Sequence, residues 1–260
     1  IGLAVVTAWL VATLTFFLMN LVPGGPFMAE KALTPQAQEA MMEKYGLDKP
    51  LPEQYVIYMK DLLHGDLGPS VKQRGRTVNT IIETKFPVSA KIGGVAILLA
   101  VCIGVPLGSV AAFNRGKMVD NIIILFTTCG IAIPSFVICT LLMQILSNWL
   151  GLLPTYGLTS WKHYIMPVIS LALYPSSYIA RLMRSSMLDV LGQDYMRTAR
   201  AKGVSWMVSV FKHALRNAIL PVVTYLGPLL AYTVTGSFIV EKIFTIPGLG
   251  SEFIGAITGR

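Results

Sequence analysis

Charge is what this chain has least of. Asp, Glu, Lys and Arg make up 13% of its 260 residues, against about 25% in soluble domains. Residues 1–29, 121–161 and 217–240 hold none of the four, and 88–114 holds only Lys91. Cysteine is also sparse. Cys102, Cys129 and Cys139 all fall in apolar stretches and form no C-x-x-C pair. They read as small buried hydrophobes rather than a disulfide framework or a metal knuckle. His64, His163 and His213 lie in three separate segments and cannot meet at one metal. No G-x-x-x-x-G-K-[ST] occurs: Gly116-Lys117 is followed by Met118, so the chain has no P-loop to cradle ATP. No G-x-S-x-G occurs either. The glycine-rich 247–255 follows no strand and reads as a loop, not a dinucleotide fingerprint. No nucleophile, base and orienting group come together in the pattern. No catalytic residue is assigned, no metal is expected, and an enzyme is the least favoured class.

What remains is apolar length. The chain is 54% hydrophobic, with a mean hydropathy of +0.64. A membrane-spanning helix needs roughly 20 apolar residues, and five runs qualify: 1–22, 88–113, 121–149, 164–181 and 218–240. The fold class expected is therefore an all-α polytopic membrane protein. The first run is not a secretion signal, because "NLVPGGPF" follows it in place of a small-residue cleavage site.

Lys and Arg in the short connections orient the spans. Arg115 and Lys117 lie in 114–120, and seven cations lie between Arg181 and Arg216 against Asp189 and Asp194. The connection 150–163 holds only Lys162, and 30–86 balances eight cations against eight acids. The expectation is that 114–120 and 182–217 face the cytoplasm, as does the N-terminus. Segments 23–87, 150–163 and 241–260 then lie outside. A basic inner face accounts for the net charge of +8 without a nucleic-acid partner; the partner implied is the lipid bilayer. Within 23–87, Thr34 with Pro35 starts one helix, Gly46 stops it, and 51–63 forms a second.

The spans carry hydroxyls, glycines and prolines, and no acid. A carrier driven by protons or sodium usually keeps acids within its helices, so their absence argues against that class. Gly104 and Gly108 form a G-x-x-x-G suited to close helix approach. "TTCGIAIPS" and "TYLGPLLAYTVTGS" place Thr127, Thr128, Pro134, Ser135, Thr224, Tyr225, Thr233, Thr235 and Ser237 in the apolar runs, with a further proline at Pro228. Uncharged polar groups at kinks suit the lining of a translocation pathway. Ordinary kinked packing explains them equally well.

The segment "DYMRTARAKGVSWMVSVFKHALRNAILP", 194–221, departs from its oily surroundings. It reads as helix, glycine, helix. Arg197, Arg200 and Lys202 suit a helix C-terminus, Gly203 a C-cap, and Ser205 the start of a second helix. Val204, Val208, Phe211 and Leu215 recur on one face. The small corner Ala199, Ala201 and Gly203 beside that face suits a docking protein; a solvated loop binding lipid headgroups fits the spacing equally well.

The segment resembles the cytoplasmic loop of ABC-transporter permease subunits, in the oligopeptide, dipeptide and nickel importer branch. The general signature there is E-A-A-x-x-x-G followed by I-x-L-P. Arg197, Thr198 and Ala199 stand at E-A-A, Gly203 matches, and His213 to Arg216 stand at I-x-L-P. Only Ala199, Gly203 and Leu215 fit, while "RTARAKG" resembles the peptide branch. "FFLMNLVPGGPF", "YGLDKPLPEQY", "LLHGDLGPSV", "FPVSAKIG" and "EKIFTIPGLG" are similar to the first permease subunit of oligopeptide importers.

The resemblance implies a type I importer permease in a bacterial inner or plasma membrane, with a sixth span beyond Arg260. It implies oligopeptide import, with dipeptides or nickel chelates as alternatives and an ATP-independent channel or carrier as a remoter one. The implied partners are a second, similar permease, two ATP-binding cassette subunits and an extracytoplasmic peptide-binding protein. ATP and Mg would sit on the partner subunits and no cofactor on this chain. Arg197, Thr198, Ala199, Arg200, Ala201, Lys202, Gly203, Val204, Val208 and Phe211 would form the coupling helix and its docking face.

Overall fold

The computed structural model describes residues 2–21, 46, 48–70, 73 and 75–258. The first helix expected in 23–87, starting at Thr34, lies outside the described residues. The chain divides into two compact units, 1–82 with 255–260, and 83–254.

In the smaller unit, α1 (Gly2–Leu21) is apolar around its whole circumference and has no buried residue. Such a helix hides its surface in a membrane or against other chains rather than in its own core. α2 (Leu51–Leu63) carries proline in its first turn, Glu53 near its start and Lys60 near its end, which complements the helix dipole. Phe16 and Phe17 of α1 meet Tyr55 and Tyr58 of α2 at ring separations of 5.4–5.7 Å. The Thr13 and Tyr55 hydroxyls share a hydrogen bond of 2.8 Å. Past α2, the Asn79 amide stitches the turn down, accepting from the Leu67 N–H at 2.8 Å and donating to the Gly65 carbonyl at 2.5 Å.

α3 (Val78–Phe113) is 36 residues long, about 54 Å. It begins ten residues before the apolar run at 88. The Thr77 hydroxyl accepts from the Thr80 N–H at 3.2 Å and caps the start. Pro87, inside the helix, does not end it.

The larger unit is a helical core around α6 (Lys162–Leu191). α3 reaches α6 through the glycine pair. A Cβ at Gly104 would lie 2.7 Å from the Ser176 carbonyl oxygen, and one at Gly108 2.7 Å from the Met183 Cβ. Gly93 likewise sits against α10 (Leu220–Val234), where a Cβ would lie 2.6 Å from the Thr233 carbonyl. The G-x-x-x-G is thus a helix-packing face.

The run 121–149 is not one straight element. α4 (Met118–Ala132) stops at Ile133, whose ψ of 123° is extended. α5 (Ser135–Leu142) and a π-helical turn (Met143–Trp149) follow Pro134 at a bend of 101°. The Pro134 ring disfavours helical geometry at its predecessor. Pro87, Pro106, Pro167, Pro175 and Pro228 remain inside helices, so proline alone did not forecast the bend. Among the described residues, four helical stretches are long and apolar enough to cross a membrane: Gly2–Leu21, Val78–Phe113, Lys162–Leu191 and Leu220–Ile243. The bent pair makes a fifth if it counts as one crossing.

The apolar runs themselves hold no acid, but the helices extend past them and take in acids near their ends. Asp120 lies in the first turn of α4 and is 1% exposed. Glu241, in α11 (Phe238–Ile243), is 3% exposed. Both stand just past the ends of uncharged runs, where the sequence alone reads as loop. The segment after 240 is not a plain loop either: α11 continues to Ile243, and α12 (Leu249–Thr258) follows.

Candidate functional site

α6 runs ten residues past 181, and α7 (Asp194–Ala201) turns off it. α7 opens on the extended Gln193, with Asp194 in its first turn and Arg200 in its last. Met196 is wholly buried, beside Met183 and Met187 of α6 in the same core. α7 ends in a Schellman turn. The Val204 N–H donates to the Ala199 carbonyl at 3.2 Å and the Gly203 N–H to the Arg200 carbonyl at 3.0 Å. Gly203 has φ +78°, the left-handed region that favours glycine. A Cβ there would meet open space, so nothing among the described residues crowds the corner.

The second arm is α8 (Trp206–Val208), a π-helical turn (Ser209–Ala214) and α9 (Leu215–Ala218). Ser205 stands at the cap position with extended backbone, but its hydroxyl makes no capping bond. Ser209, Val210, Ala214 and Ala218 are buried. Val208 and Phe211 point outward, joined by Trp206 and Met207, which are 50% and 62% exposed. Val204 and Leu215 are half-buried. The outward apolar patch thus differs from the face a regular helical period gives. Arg197, Thr198, Arg200, Ala201, Lys202 and Gly203 are exposed, and Ala199 half-buried. The Arg200 guanidinium lies 5.2 Å from the Trp206 ring centre, and the Asn217 amide donates to the Tyr195 hydroxyl at 2.9 Å. The elbow is braced from within and presents an apolar patch outward.

An ion pair to a buried acid fixes the helix that carries it. Arg184 of α6 donates from Nε and Nη2 to the two oxygens of Asp120, both at 2.7 Å. The Gly116 N–H donates to the same carboxylate at 2.9 Å. The short connection 114–117 is thereby tied to the root of the elbow. Two parallel bonds fix direction as well as distance. The acid and the arginine are 64 residues apart, and neither stood out in the sequence.

The nine hydroxyl, tyrosine and proline positions separate into groups. Thr127 and Thr128 receive hydrogen bonds from Arg181, the first from Nε at 3.3 Å and the second from Nη2. Tyr225 lies beside Tyr178, ring centres 4.5 Å apart. Ser135, Thr235 and Ser237 line one cavity of about 390 Å³ with Tyr232, Phe238 and Phe253. Pro134 forms the bend beside it. Thr233 is buried against Gly93, and the exposed Thr224 hydroxyl donates to the Leu220 carbonyl within its own helix.

Beside the cavity, the Glu241 carboxylate accepts from the Ser89 hydroxyl at 2.7 Å and the Ser251 N–H at 2.9 Å. Ser89 in turn accepts from the Leu249 N–H at 2.8 Å. A Cβ on Gly236 or Gly248 would stand 2.5 Å from this carboxylate. "EKIFTIPGLG" is therefore a folded clasp whose glycines make room for a buried acid.

Residues 104–260 match the family described as "Binding-protein-dependent transport system inner membrane component". Residues 1–93 match the N-terminal part of such membrane components. The dipeptide transport system permease protein DppB of Bacillus subtilis is 45% identical, over 98% of this chain and 82% of its own. The oligopeptide transport system permease protein OppB of Salmonella typhimurium is 41% identical, over 99% and 85%. A crystal structure of an amino acid ABC transporter matches with a TM-score of 0.54 at 18% identity, covering 70% of this chain and 81% of that one; this likeness concerns the fold. The chain is a multi-pass membrane protein and belongs to the family of binding-protein-dependent transport system inner membrane components, the permease subunits of ABC transporters.

Proposed function

We propose that the chain is one permease subunit of an ATP-driven peptide importer and forms half of the pathway with a second, similar permease. Two ATP-binding cassette subunits would carry ATP and Mg and dock on the elbow 194–211. A peptide-binding protein would deliver solute from the other side. The observation that carries this reading is the elbow itself: a helix corner braced by a Schellman turn and a buried methionine, with Trp206, Met207, Val208 and Phe211 turned outward. Exposed apolar patches of this kind mark protein contacts. Closure of the ATPases would displace the elbow, and α6, held to α4 by Arg184 and Asp120, would move with it. The clustering of Lys and Arg supports a cytoplasmic elbow and 114–117 connection, with the N-terminus on the same side and the cavity at Ser237 toward the outside. Peptide as the solute rests on the names of the relatives, which cover both dipeptides and oligopeptides.

Reconstituted complexes, assayed for ATP hydrolysis stimulated by binding protein with dipeptides, longer peptides or nickel chelates, test the solute. Stimulation by nickel chelates alone would overturn the peptide reading. Docking is tested by a series at Gly203. Gly203→Asn, which tolerates left-handed backbone, should retain most coupled transport. Gly203→Ala adds roughly 1–2 kcal/mol of backbone strain and should fall below it. Gly203→Trp should lose transport and copurifying ATPase together. Normal uptake and ATPase association in the Trp variant would remove the docking role.

A further inference from the structure

Two arginines stand three residues apart on α6 and meet opposite fates. Arg184 is neutralised by Asp120. Arg181 is exposed and has no ion pair among the described residues. Its Nε and Nη2 are held by the Thr127 and Thr128 hydroxyls, which orient the guanidinium without cancelling its charge. Nη1 has no protein partner among the described residues. Thr127 and Thr128 lie roughly 14 Å along α4 from Met118, so the guanidinium reaches well into the apolar part of the bundle. An unneutralised cation at such depth does not face lipid; it faces a water-filled space or an anion.

The rest of its helix face agrees. Tyr174 and Tyr178 precede Arg181 at helical spacing, and both are exposed. Their rings are 6.5 Å apart and 17° from parallel, and the ring of Tyr225 of α10 lies against Tyr178, tilted by 35°. A lipid-facing stripe would carry Leu, Ile or Val here. This one carries phenol rings leading to a fixed cation.

We propose that the Tyr174, Tyr178 and Arg181 face of α6 is a station on the solute pathway that holds a peptide by its C-terminal carboxylate. This rests on the peptide-importer reading. A transporter that tolerates many side chains must grip what every linear peptide has: its backbone and its termini. The Arg181 guanidinium offers a terminal nitrogen to the carboxylate, while flat tyrosine rings contact the chain behind it without demanding a particular side chain. The second permease subunit as occupant of this face is the competing outcome.

The test is uptake by the complete reconstituted complex of one peptide with a free C-terminus and of its C-terminal amide. Wild type should favour the free carboxylate by about tenfold, the value of a charge-assisted hydrogen bond. Arg181→Gln should bring that ratio close to one, Arg181→Lys should keep part of it, and Arg181→Glu should invert it. An unchanged ratio in Arg181→Gln, or a wild-type ratio of one, overturns the proposal and leaves the importer reading standing. Loss of the second permease on copurification of Arg181→Gln overturns it in favour of a subunit contact. Failure of the wild-type complex to move either peptide rejects the importer reading itself.

Discussion

At the residue scale the deciding features are two acids. Asp120 is buried with both oxygens engaged by Arg184. A buried pair adds little net stability over an apolar replacement, but a broken pair leaves one charge stranded. Because the stranded Arg184 is a quarter exposed, Asp120→Asn should destabilise the folded subunit by about 1–3 kcal/mol, read as a lower thermal midpoint of the purified complex. The double change Asp120→Leu with Arg184→Met should recover most of that loss. If the single variant melts like wild type, the pair has no structural weight. Glu241 occupies a comparable position at the clasp, where its carboxylate gathers Ser89 and Ser251.

At the scale of elements, the glycines of α3 differ in kind. Gly108 faces the backbone of α6, with Met183 Cβ 2.7 Å from where its own Cβ would be, whereas a Cβ on Gly94 meets nothing. Gly108→Ala should force the helices apart and cost about 1–3 kcal/mol. Gly94→Ala should be neutral or slightly stabilising, since alanine restricts the unfolded chain. Yield and thermal midpoint of the two variants side by side provide the check; equal behaviour would contradict the close approach. The G-x-x-x-G was legible because close approach demands small residues at a fixed spacing. The bend at Pro134 was not, because five other prolines are accommodated within helices.

At the scale of the whole molecule, the polar features lie in two zones of the larger unit. Arg181, Thr127 and Thr128 form one. Ser135, Thr235 and Ser237 form the other, around the cavity of about 390 Å³. If this cavity belongs to the solute route, Ser237→Trp should reduce peptide uptake at least tenfold, about 1.4 kcal/mol, while the subunits still copurify. Uptake at the wild-type rate would take the cavity off the route. Of the nine pathway candidates, Thr127, Thr128, Ser135, Thr235 and Ser237 fall in these zones, and Tyr225 lies against Tyr178. Thr233 serves packing instead, and its hydroxyl type alone did not distinguish it.

The sequence by itself determined the membrane class, the approximate helical stretches and the elbow at 194–211. Each rests on a local property: apolar length, the clustering of Lys and Arg, or a glycine closing a helix. Tertiary structure decided what depends on partners far away in the chain. It brought Asp120 to Arg184 and Glu241 to Ser89, moved the outward apolar face of the elbow onto Trp206 and Met207, and left Arg181 without an acid among the described residues. A charge at the edge of an apolar run reads as a loop residue until the opposing helix shows whether it is buried, paired or facing an open space.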